Sequence, residues 1–366
     1  MKEKIKIIVS GGGTGGHIFP AISIANALKQ KHSDCEILFV GAEGKMEMEK
    51  VPAAGYDIIG LPIRGLQRSF SKENLRFFSR LLRSIWKAKA VIKGFQPDAV
   101  VGVGGYASGP LLYVAAKLGV PTVIQEQNSY AGITNKLLAK KAKKICVAYE
   151  GMERFFPADK ILLTGNPVRN DLLDIASKRQ EAVDYFQLNP DQKTILIVGG
   201  SLGAGTINNS VLGSLSNISD SEVQVIWQTG KFYIEKVREE LKTWDIPGLR
   251  VFDFLGRMDL AYAAADMVIS RAGAGTISEL CLVEKPCILV PSPNVSEDHQ
   301  TKNAMALVNK NAAIMVKDSD AERDLVLAAL NLINDTEKLA ELSVNCKALA
   351  KPNAADEIAE QIIALT

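Results

Sequence analysis

The sequence predicts an α/β protein made of two Rossmann-like domains, each built on a parallel sheet. Short β-branched apolar runs alternate with helical stretches along the 366 residues. A strand, a glycine-rich loop and a helix open each half in the same way. Strands this apolar are typical of a sheet whose two faces are both covered by helices, and such sheets are parallel and doubly wound. The length is sufficient for two domains.

Eleven runs have the composition and length of buried strands. Those of the first half are KIKIIVS (4–10), CEILFVG (35–41), DAVVGV (98–103), PTVIQE (121–126), KKICVA (143–148) and KILLTG (160–165). Those of the second half are KTILIVGG (193–200), EVQVIWQTG (222–230), LRVFDF (249–254), DMVIS (266–270) and PCILVP (286–291).

The linker between the two domains is predicted at TGNPVRND (164–171). It follows a strand, contains a turn-forming Asn-Pro pair and leads into a polar helical stretch. We therefore expect one domain over residues 1–166 and a second over residues 167–349. The tail, residues 350–366, has the pattern of a short amphipathic helix that could pack on either domain.

Composition argues against several functional classes. Apolar residues make up 47% and charged residues 23% of the chain, as in an ordinary globular protein. The net charge of +2 gives no reason to expect a nucleic-acid partner. The five cysteines form no C-x-x-C pair, so we expect reduced thiols in the cytoplasm and no zinc site. No signal peptide is recognised, and the uncharged stretch 99–116 contains glycines and a proline that would break a membrane helix.

Four glycine-rich loops follow predicted strands. They are SGGGTGGH (10–17), GVGGYASGP (102–110), GGSLGAG (199–205) and SRAGAGTISE (270–279). Glycine lets backbone N–H groups come close to a ligand, and the N-terminus of the following helix favours a phosphate. One such loop could be only a tight strand-to-helix turn, but four of them in α/β units predict ligand sites.

The first loop, taken alone, suggests a nicotinamide dinucleotide. Gly11, Gly13 and Gly16 satisfy G-x-G-x-x-G, and Glu43 follows the second strand, where an acidic residue would bind ribose. An NAD(P)-dependent oxidoreductase is therefore one alternative. It leaves the second half unexplained, where Glu279 lies on the helix that the last glycine loop opens. A sugar nucleotide in the second domain, with a different ligand in the first, uses both halves.

Seven motifs occur in order over nearly the whole chain: GGGTGGHIFPA, GVGGYASGP, EQN with the following TNK, TGNPVR, GGSLGAG, SRAGAGTISE and PSPNVSEDHQTKNA. Together they resemble the bacterial N-acetylglucosaminyltransferases of glycosyltransferase family 28, which convert lipid I into lipid II in peptidoglycan synthesis. The resemblance implies a GT-B fold, in which a cleft separates two Rossmann-like domains. It also implies UDP-GlcNAc in the C-terminal domain, the lipid acceptor in the N-terminal domain, and a C-terminal helix that packs back on the first domain.

The resemblance also implies residue roles. Donor contacts fall on Thr14, Gly15, Gly16, Asn128, Arg169, Ser201, Leu255, Ala274, Gly275, Thr276, Ile277, Ser278, Glu279 and Gln300. Arg271, beside the last glycine loop, would help Arg169 to offset the charge of the leaving UDP. The acceptor side falls on Gly104, Gly105, Tyr106 and Asn135. The alternatives are another GT-B transferase with a lipid acceptor and a non-catalytic regulator that binds a sugar nucleotide.

An inverting transfer needs one base for the attacking 4-hydroxyl. His17 follows the first loop and its imidazole titrates near the working pH, so it is one candidate, and Glu126 is the other. Each also has a structural alternative, since His17 could hold the loop and Glu126 could order Asn128. No Asp-x-Asp pair follows an apolar strand, so we expect no tightly bound cofactor or catalytic metal. Stimulation by Mg²⁺ through the phosphates is compatible with this expectation.

A basic amphipathic helix is predicted within residues 64–93, which carry nine basic residues and one acid. Its basic residues recur at helical spacing beside aromatic and aliphatic residues, and those assigned to the membrane are Arg76, Arg80, Arg83, Trp86 and Lys87. Such a helix favours an anionic membrane surface, although an ordinary helix with its apolar side in the core has a similar pattern. With a polyprenyl-diphosphate acceptor, this predicts a peripheral protein on the cytoplasmic face of the plasma membrane. Other envelope-synthesis proteins are plausible partners.

Overall fold

The computed structural model describes residues 4–65, 72–200 and 202–366, apart from the side chains of residues 72–76, 170 and 296. The chain divides into two compact units. The first comprises Met1–Val168 together with Asn353–Thr366, and the second comprises Arg169–Pro352.

The first unit contains a seven-stranded sheet in the order β3-β2-β1-β4-β5-β6-β7, with every pair parallel. Its strands are β1 (Lys6–Gly11), β2 (Glu36–Ala42), β3 (Asp57–Leu61), β4 (Ala99–Gly104), β5 (Thr122–Glu126), β6 (Lys144–Val147) and β7 (Ile161–Leu163). The α-helices in its N-terminal part are α1 (Gly15–Lys31), α2 (Glu47–Ala53), α3 (Lys72–Phe95), α4 (Ser108–Lys117) and α5 (Ile133–Leu138). The central strands are buried on both faces, as their unbroken apolar sequences predict.

The second unit contains a six-stranded parallel sheet in the order β10-β9-β8-β11-β12-β13. Its strands are β8 (Thr194–Val198), β9 (Gln224–Gln228), β10 (Leu249–Phe252), β11 (Met267–Ser270), β12 (Cys287–Leu289) and β13 (Ile314–Met315). Its helices are α6 (Arg179–Phe186), α7 (Gly205–Leu212), α8 (Leu215–Ser219), α9 (Ile234–Leu241), α10 (Met258–Ala264), α11 (Ala274–Leu282), α12 (His299–Val308), α13 (Ala321–Asn334) and α14 (Thr336–Ala348).

The last helix, α15 (Ala354–Ile363), returns to the first unit. Ile358 and Ile362 are fully buried in the same apolar cluster as Ile18 of α1. Lys31, at the end of α1, donates to Glu360 at 2.8 Å. The tail is thus held against α1 by an apolar face and an exposed ion pair.

The strand order reverses at one point in each sheet, between β1 and β4 and between β8 and β11. The four glycine-rich loops follow these four strands. We name them loop A (12–14), loop B (105–107), loop C (199–204) and loop D (271–273). Open parallel sheets bind ligands where the strand order reverses, because the two loops there diverge and leave a crevice. The fold therefore provides one ligand-binding edge in each unit.

Candidate active site

Loops A and B touch each other through glycines. A Cβ on Gly105 would lie 2.3 Å from the carbonyl oxygen of Gly12, and one on Gly104 would lie 2.5 Å from Cδ2 of His17. Gly104 and Gly105 have positive φ, +107° and +89°, a conformation that other residues rarely adopt. The sequence must therefore place glycine here for the imidazole to lie against the end of β4.

His17 lies in the first turn of α1, and Thr14 occupies the N-cap position of that helix. Its Nδ1 is 3.3 Å from Oγ1 of Thr14 and its backbone N–H donates to the Thr14 carbonyl at 3.1 Å. Gly15 and Gly16, the other predicted contacts of this loop, form the start of the same helix. The structure thus brings the predicted loop A residues together with Gly104 and Gly105.

Glu47, a residue that the sequence did not single out, forms a hydrogen bond to the backbone of loop A. Its side chain is fully buried, and its two oxygens accept the backbone N–H groups of Gly13 and Ala42 at 2.8 and 2.9 Å. A Cβ on Gly12 would lie 2.2 Å from Oε1 of this carboxylate. A single glutamate in a charged stretch resembles a solvated helix residue, and its only signal was the run of glycines that leaves room for it.

Glu126 ends β5 and is 2% exposed. Its Oε1 accepts from N and Nδ2 of Asn128 at 3.1 and 3.4 Å. Its Oε2 accepts from N of Gly132 at 3.0 Å and from Nδ2 of Asn135 at 2.8 Å. Both oxygens are thus engaged in ordering residues 128–135. The structure brings together Glu126, Asn128 and Asn135, and places them one strand beyond β4.

Tyr106, the last predicted acceptor residue, lies in loop B and is 50% exposed. Its ring covers Gly65, where a Cβ would come within 2.4 Å of the ring, and it reaches to 4.0 Å from the Cβ position of Gly13. An exposed aromatic ring thus lies beside loop A at the edge where β1 and β4 diverge.

In the second unit, Gln228 ties loop C to the end of β10. Its Nε2 donates to the carbonyl oxygen of Gly200 at 3.1 Å, and its Oε1 accepts the N–H of Leu255 at 2.9 Å. The side chain of Leu255 is buried in the core, so a ligand at this position would meet backbone. Ser201, the predicted loop C contact, lies outside the described residues.

Glu279 lies on α11, behind loop D. Its Oε2 accepts the hydroxyl hydrogen of Tyr262 at 2.9 Å, and its Oε1 is 3.7 Å from Nε of Arg169. Burial raises the pKa of this carboxyl group above its usual value, and the nearby guanidinium of Arg169 offsets part of that effect. The structure therefore brings together two of the predicted donor residues, with Tyr262 as an addition that the sequence did not indicate.

Two other residues predicted to bind the donor form contacts within the protein itself. The guanidinium of Arg271 forms an ion pair with Asp318 and also donates to the carbonyl oxygens of Val290 and Pro291. Contact between Arg271 and a leaving diphosphate would require this ion pair to open. Oε1 of Gln300 accepts the N–H of Ser292 at 2.8 Å.

The first turn of α11 contains Ala274, Gly275 and Thr276, with no acidic residue. Its cap is Gly273, which has no side chain to bond the free N–H groups. A helix end of this kind offers backbone donors and a favourable dipole to an anion. Ile277 is buried behind it, and Ser278 donates to the carbonyl oxygen of Ala274 at 3.1 Å.

Helix α3 has two apolar stripes. One is packed into the core of the first unit and includes Ala88 and Ile92. The other, Phe78, Leu82 and Trp86, is 67%, 59% and 75% exposed. These three residues are four apart, so they form one line along the helix. Ile85, which neighbours this line on the helix, packs on the core instead.

Basic residues flank the exposed stripe. Arg83 is exposed beside it, and Lys87 pairs with Glu43 at 2.8 Å. The side chain of Arg76 lies outside the described residues. An ordinary surface helix exposes its polar face, so this apolar line is the feature that needs a partner.

Comparison with known proteins identifies the family and excludes one of the alternatives. The model described as "Glycosyltransferase family 28 N-terminal domain" matches residues 7–147, and "Glycosyltransferase family 28 C-terminal domain" matches residues 194–358. The chain belongs to glycosyltransferase family 28. Family 28 membership confirms the resemblance drawn from the seven motifs and rejects the oxidoreductase alternative.

Similar proteins span the same length. A protein of Parabacteroides distasonis is 60% identical over 361 residues, which cover 99% of this chain and 98% of the relative. It is named "UDP-N-acetylglucosamine--N-acetylmuramyl-(pentapeptide) pyrophosphoryl-undecaprenol N-acetylglucosamine transferase". A protein of Bacteroides fragilis with the same name is 60% identical over 365 residues, with coverage of 99% and 96%.

Solved structures agree with the family 28 assignment. The crystal structure of Acinetobacter baumannii MurG covers 99% of both chains with a TM-score of 0.78 and 28% identity. The UDP-GlcNAc 2-epimerase of Neisseria meningitidis has a TM-score of 0.69 at 15% identity, covering 99% of this chain and 100% of its own, and shares only the fold. These matches and the two parallel sheets confirm the predicted α/β fold of GT-B type.

Two features are absent from the described part of this family 28 chain. Within residues 4–65, 72–200 and 202–366, no helix has both the length and the apolarity needed to cross a bilayer. The same residues contain no group of three or more His, Cys, Asp or Glu side chains placed to hold a metal ion. All five cysteines are buried and free.

Proposed function

We propose that this chain transfers GlcNAc from UDP-GlcNAc to the 4-hydroxyl of MurNAc in undecaprenyl-diphosphate-MurNAc-pentapeptide, which is lipid I. The products are lipid II and UDP, and the anomeric configuration is inverted. The observation that carries the proposal is the 60% identity, over 99% of this chain, to a protein named for this reaction. The two ligand-binding edges, one in each unit, supply a place for each substrate.

The second unit, which corresponds in this proposal to the domain predicted over residues 167–349, binds the donor. The N-terminus of α11 receives the diphosphate, since the first N–H groups of a helix have no acceptor within it and no side chain caps them here. Glu279 accepts hydrogen bonds from the ribose, and the backbone at Leu255, held by Gln228, faces the uracil. Ser201, Gln300 and Asn128 are assigned to the diphosphate and the sugar by family resemblance alone.

The first unit, with residues 1–166 at its centre, binds the acceptor beside loops A and B. His17 is the better candidate for the base, because both oxygens of Glu126 already accept hydrogen bonds that order the loop after β5. The imidazole takes the proton of the 4-hydroxyl, whose oxygen attacks the anomeric carbon while UDP leaves with the bonding electron pair. Arg169 offsets the charge that develops on UDP.

The exposed stripe of α3 holds the protein on the cytoplasmic face of the plasma membrane in this proposal. Phe78, Leu82 and Trp86 would enter the interface, and the neighbouring basic residues would attract anionic lipid. This arrangement suits an acceptor whose polyprenyl chain stays in the bilayer.

The test is turnover of UDP-GlcNAc with a lipid I analogue by the purified full-length chain. We expect release of UDP and a disaccharide product with a β-linkage, seen in the anomeric proton coupling. UDP-GlcNAc binding without turnover would instead indicate a regulator. Turnover with another lipid acceptor and none with lipid I would indicate a different GT-B transferase. Either result contradicts the proposal.

A further inference from the structure

Tyr262 lies on α10, and its side chain is 1% exposed. Its hydroxyl donates to Oε2 of Glu279 at 2.9 Å. The phenol ring belongs to the main apolar core of the second unit, so the position of its oxygen is fixed by packing. A buried tyrosine usually finds a partner for its hydroxyl, and here that partner is the carboxylate behind loop D.

The other oxygen of Glu279 has a different environment. Oε1 is 3.7 Å from Nε of Arg169, which is too long for a hydrogen bond but close enough for charge attraction. Arg169 is also 3.7 Å from Oδ1 of Asp171, so it is shared between two carboxylates. One oxygen of Glu279 is thus held by a hydroxyl, while the second lies near a positive charge. The side chain of Glu279 as a whole is about one-fifth exposed.

We propose that Tyr262 is a positioning residue for donor recognition. By holding Oε2, it fixes the rotation of the Glu279 carboxylate so that Oε1 accepts from a ribose hydroxyl of the sugar nucleotide. The terminal torsion of a glutamate is broad, so the carboxylate turns freely when nothing holds it. This inference rests on the proposed function, because it assumes a ribonucleotide donor in the second unit.

The same hydrogen bond helps to keep Glu279 ionised. Burial raises the pKa of the carboxyl group, Arg169 and Tyr262 oppose that rise, and the charge of Asp171 adds to it. Removal of the Tyr262 hydroxyl should therefore raise the pKa further. A ribose hydroxyl donates a stronger hydrogen bond to the ionised carboxylate than to the neutral acid. As the pH is lowered, donor binding should therefore begin to weaken at a higher pH in the variant than in the wild type.

The experiment compares Tyr262→Phe with Tyr185→Phe, whose exposed ring lies in the same unit. Kinetics are measured with UDP-GlcNAc and with its 2′-deoxy and 3′-deoxy ribose analogues. For Tyr262→Phe we expect KM for UDP-GlcNAc to rise about tenfold, as for loss of one hydrogen bond to a charged group. The value of kcat and KM for the lipid I analogue should stay within about twofold of the wild type. The ratio of kcat/KM for UDP-GlcNAc to kcat/KM for one of the deoxy analogues should fall. The pH below which donor binding weakens should rise.

The inference is overturned if Tyr262→Phe keeps the wild-type preference for UDP-GlcNAc over its deoxy analogues. An equal loss of affinity for UDP-GlcNAc and for the analogues would leave that preference unchanged and would overturn the inference too. Glu279→Asp, which withdraws the carboxylate from the phenol but keeps its charge, is the second variant and should lose the same preference. If Tyr262→Phe does not fold, an unchanged preference in Glu279→Asp overturns the inference by itself. Failure of the proposed function looks different, because the wild-type chain would then not turn over UDP-GlcNAc with the lipid I analogue.

Discussion

The carboxylate of Glu47 accepts the backbone N–H of Gly13, with 2.8 Å between Oε2 and the nitrogen. Gly13 is the middle glycine of the G-x-G-x-x-G spacing, and its φ of +88° turns that N–H towards the interior. A dinucleotide pyrophosphate needs the amides of this loop, but the N–H of Gly13 is already bonded to the carboxylate of Glu47. Glu47 thus explains in physical terms why the spacing is a sign of the fold and not of NAD.

Substitution of Glu47 should damage loop A. In Glu47→Gln, the amide has only one acceptor oxygen, so its NH₂ group would face one of the two backbone donors of Gly13 and Ala42. We expect the free energy of unfolding to fall by about 2–4 kcal/mol and turnover to fall at least about tenfold, since a buried donor loses a charged partner. Urea denaturation and initial rates measure the two effects.

Glu49→Gln is the matched control, because Glu49 lies on the same helix with its side chain 80% exposed. It should leave stability and turnover unchanged. Wild-type stability in Glu47→Gln would show that the two hydrogen bonds do not hold the loop.

Substitutions of His17 and of Glu126 should have different effects on kcat and on melting temperature. His17→Ala removes the proposed base, so kcat should fall by about 10²- to 10⁴-fold with little change in melting temperature. Glu126→Gln should lower the melting temperature as well as kcat, because four N–H groups would share one acceptor oxygen. Glu150→Gln, at an exposed position after β6, is the control. A stable Glu126→Gln enzyme without turnover, beside an active His17→Ala enzyme, would reverse the assignment.

The exposed stripe of α3 should govern vesicle binding. Replacement of Phe78, Leu82 and Trp86 by serine removes three side chains that are worth about 1.5–3 kcal/mol each when fully buried. We expect partition onto phosphatidylglycerol vesicles to weaken at least about 100-fold, because more than half of each side chain is available for burial. The melting temperature should not fall. Phe232→Ser, at a 77% exposed position of the second unit, should leave vesicle binding unchanged.

Charge reversal tests the other half of the membrane proposal. Arg80→Glu with Arg83→Glu should reduce the dependence of binding on anionic lipid, at about 1 kcal/mol for each basic charge near the surface. Neutral vesicles serve as the reference in sedimentation. Binding that does not respond to lipid charge in either protein would refute an electrostatic contribution from this helix.

The sequence predicted eleven strands within two residues of their ends, and it missed β3 and β13. Both missed strands lie at a sheet edge, where a strand has one neighbour and needs no long apolar run. β3 contains a glycine, and β13 has two residues. Local composition identified every strand that has two neighbours but only two of the four edge strands, β7 and β10, because an edge strand depends more on pairing with a partner distant in the chain.

The candidate site shows the same limit. The four glycine-rich loops could be located from sequence, because a tight turn after a strand requires glycine at particular positions. The residues that hold them could not, since Glu47 contacts a glycine 34 positions away and Gln228 contacts one 28 positions away. Nothing near them in the sequence distinguishes a buried polar side chain from an exposed one. Likewise, periodicity could not show that α3 has a second apolar stripe on its outer side.

Glu279 should lower the stability of the folded protein at neutral pH. Burial raises the pKa of its carboxyl group above the unfolded value, so the folded state binds this proton more tightly than the unfolded state does. The contribution to stability is therefore greatest below the unfolded pKa and is lost as the pH rises through the folded pKa. Glu279→Gln removes this titration but keeps an acceptor for the hydroxyl of Tyr262. The variant should thus be more stable than the wild type at pH 7, by a margin that shrinks as the pH falls towards 4. Urea denaturation at several pH values measures this margin, and donor affinity should fall in the same variant because a ribose hydroxyl loses a charged acceptor. A margin that is constant with pH would show that Glu279 is not held in an environment that opposes its charge.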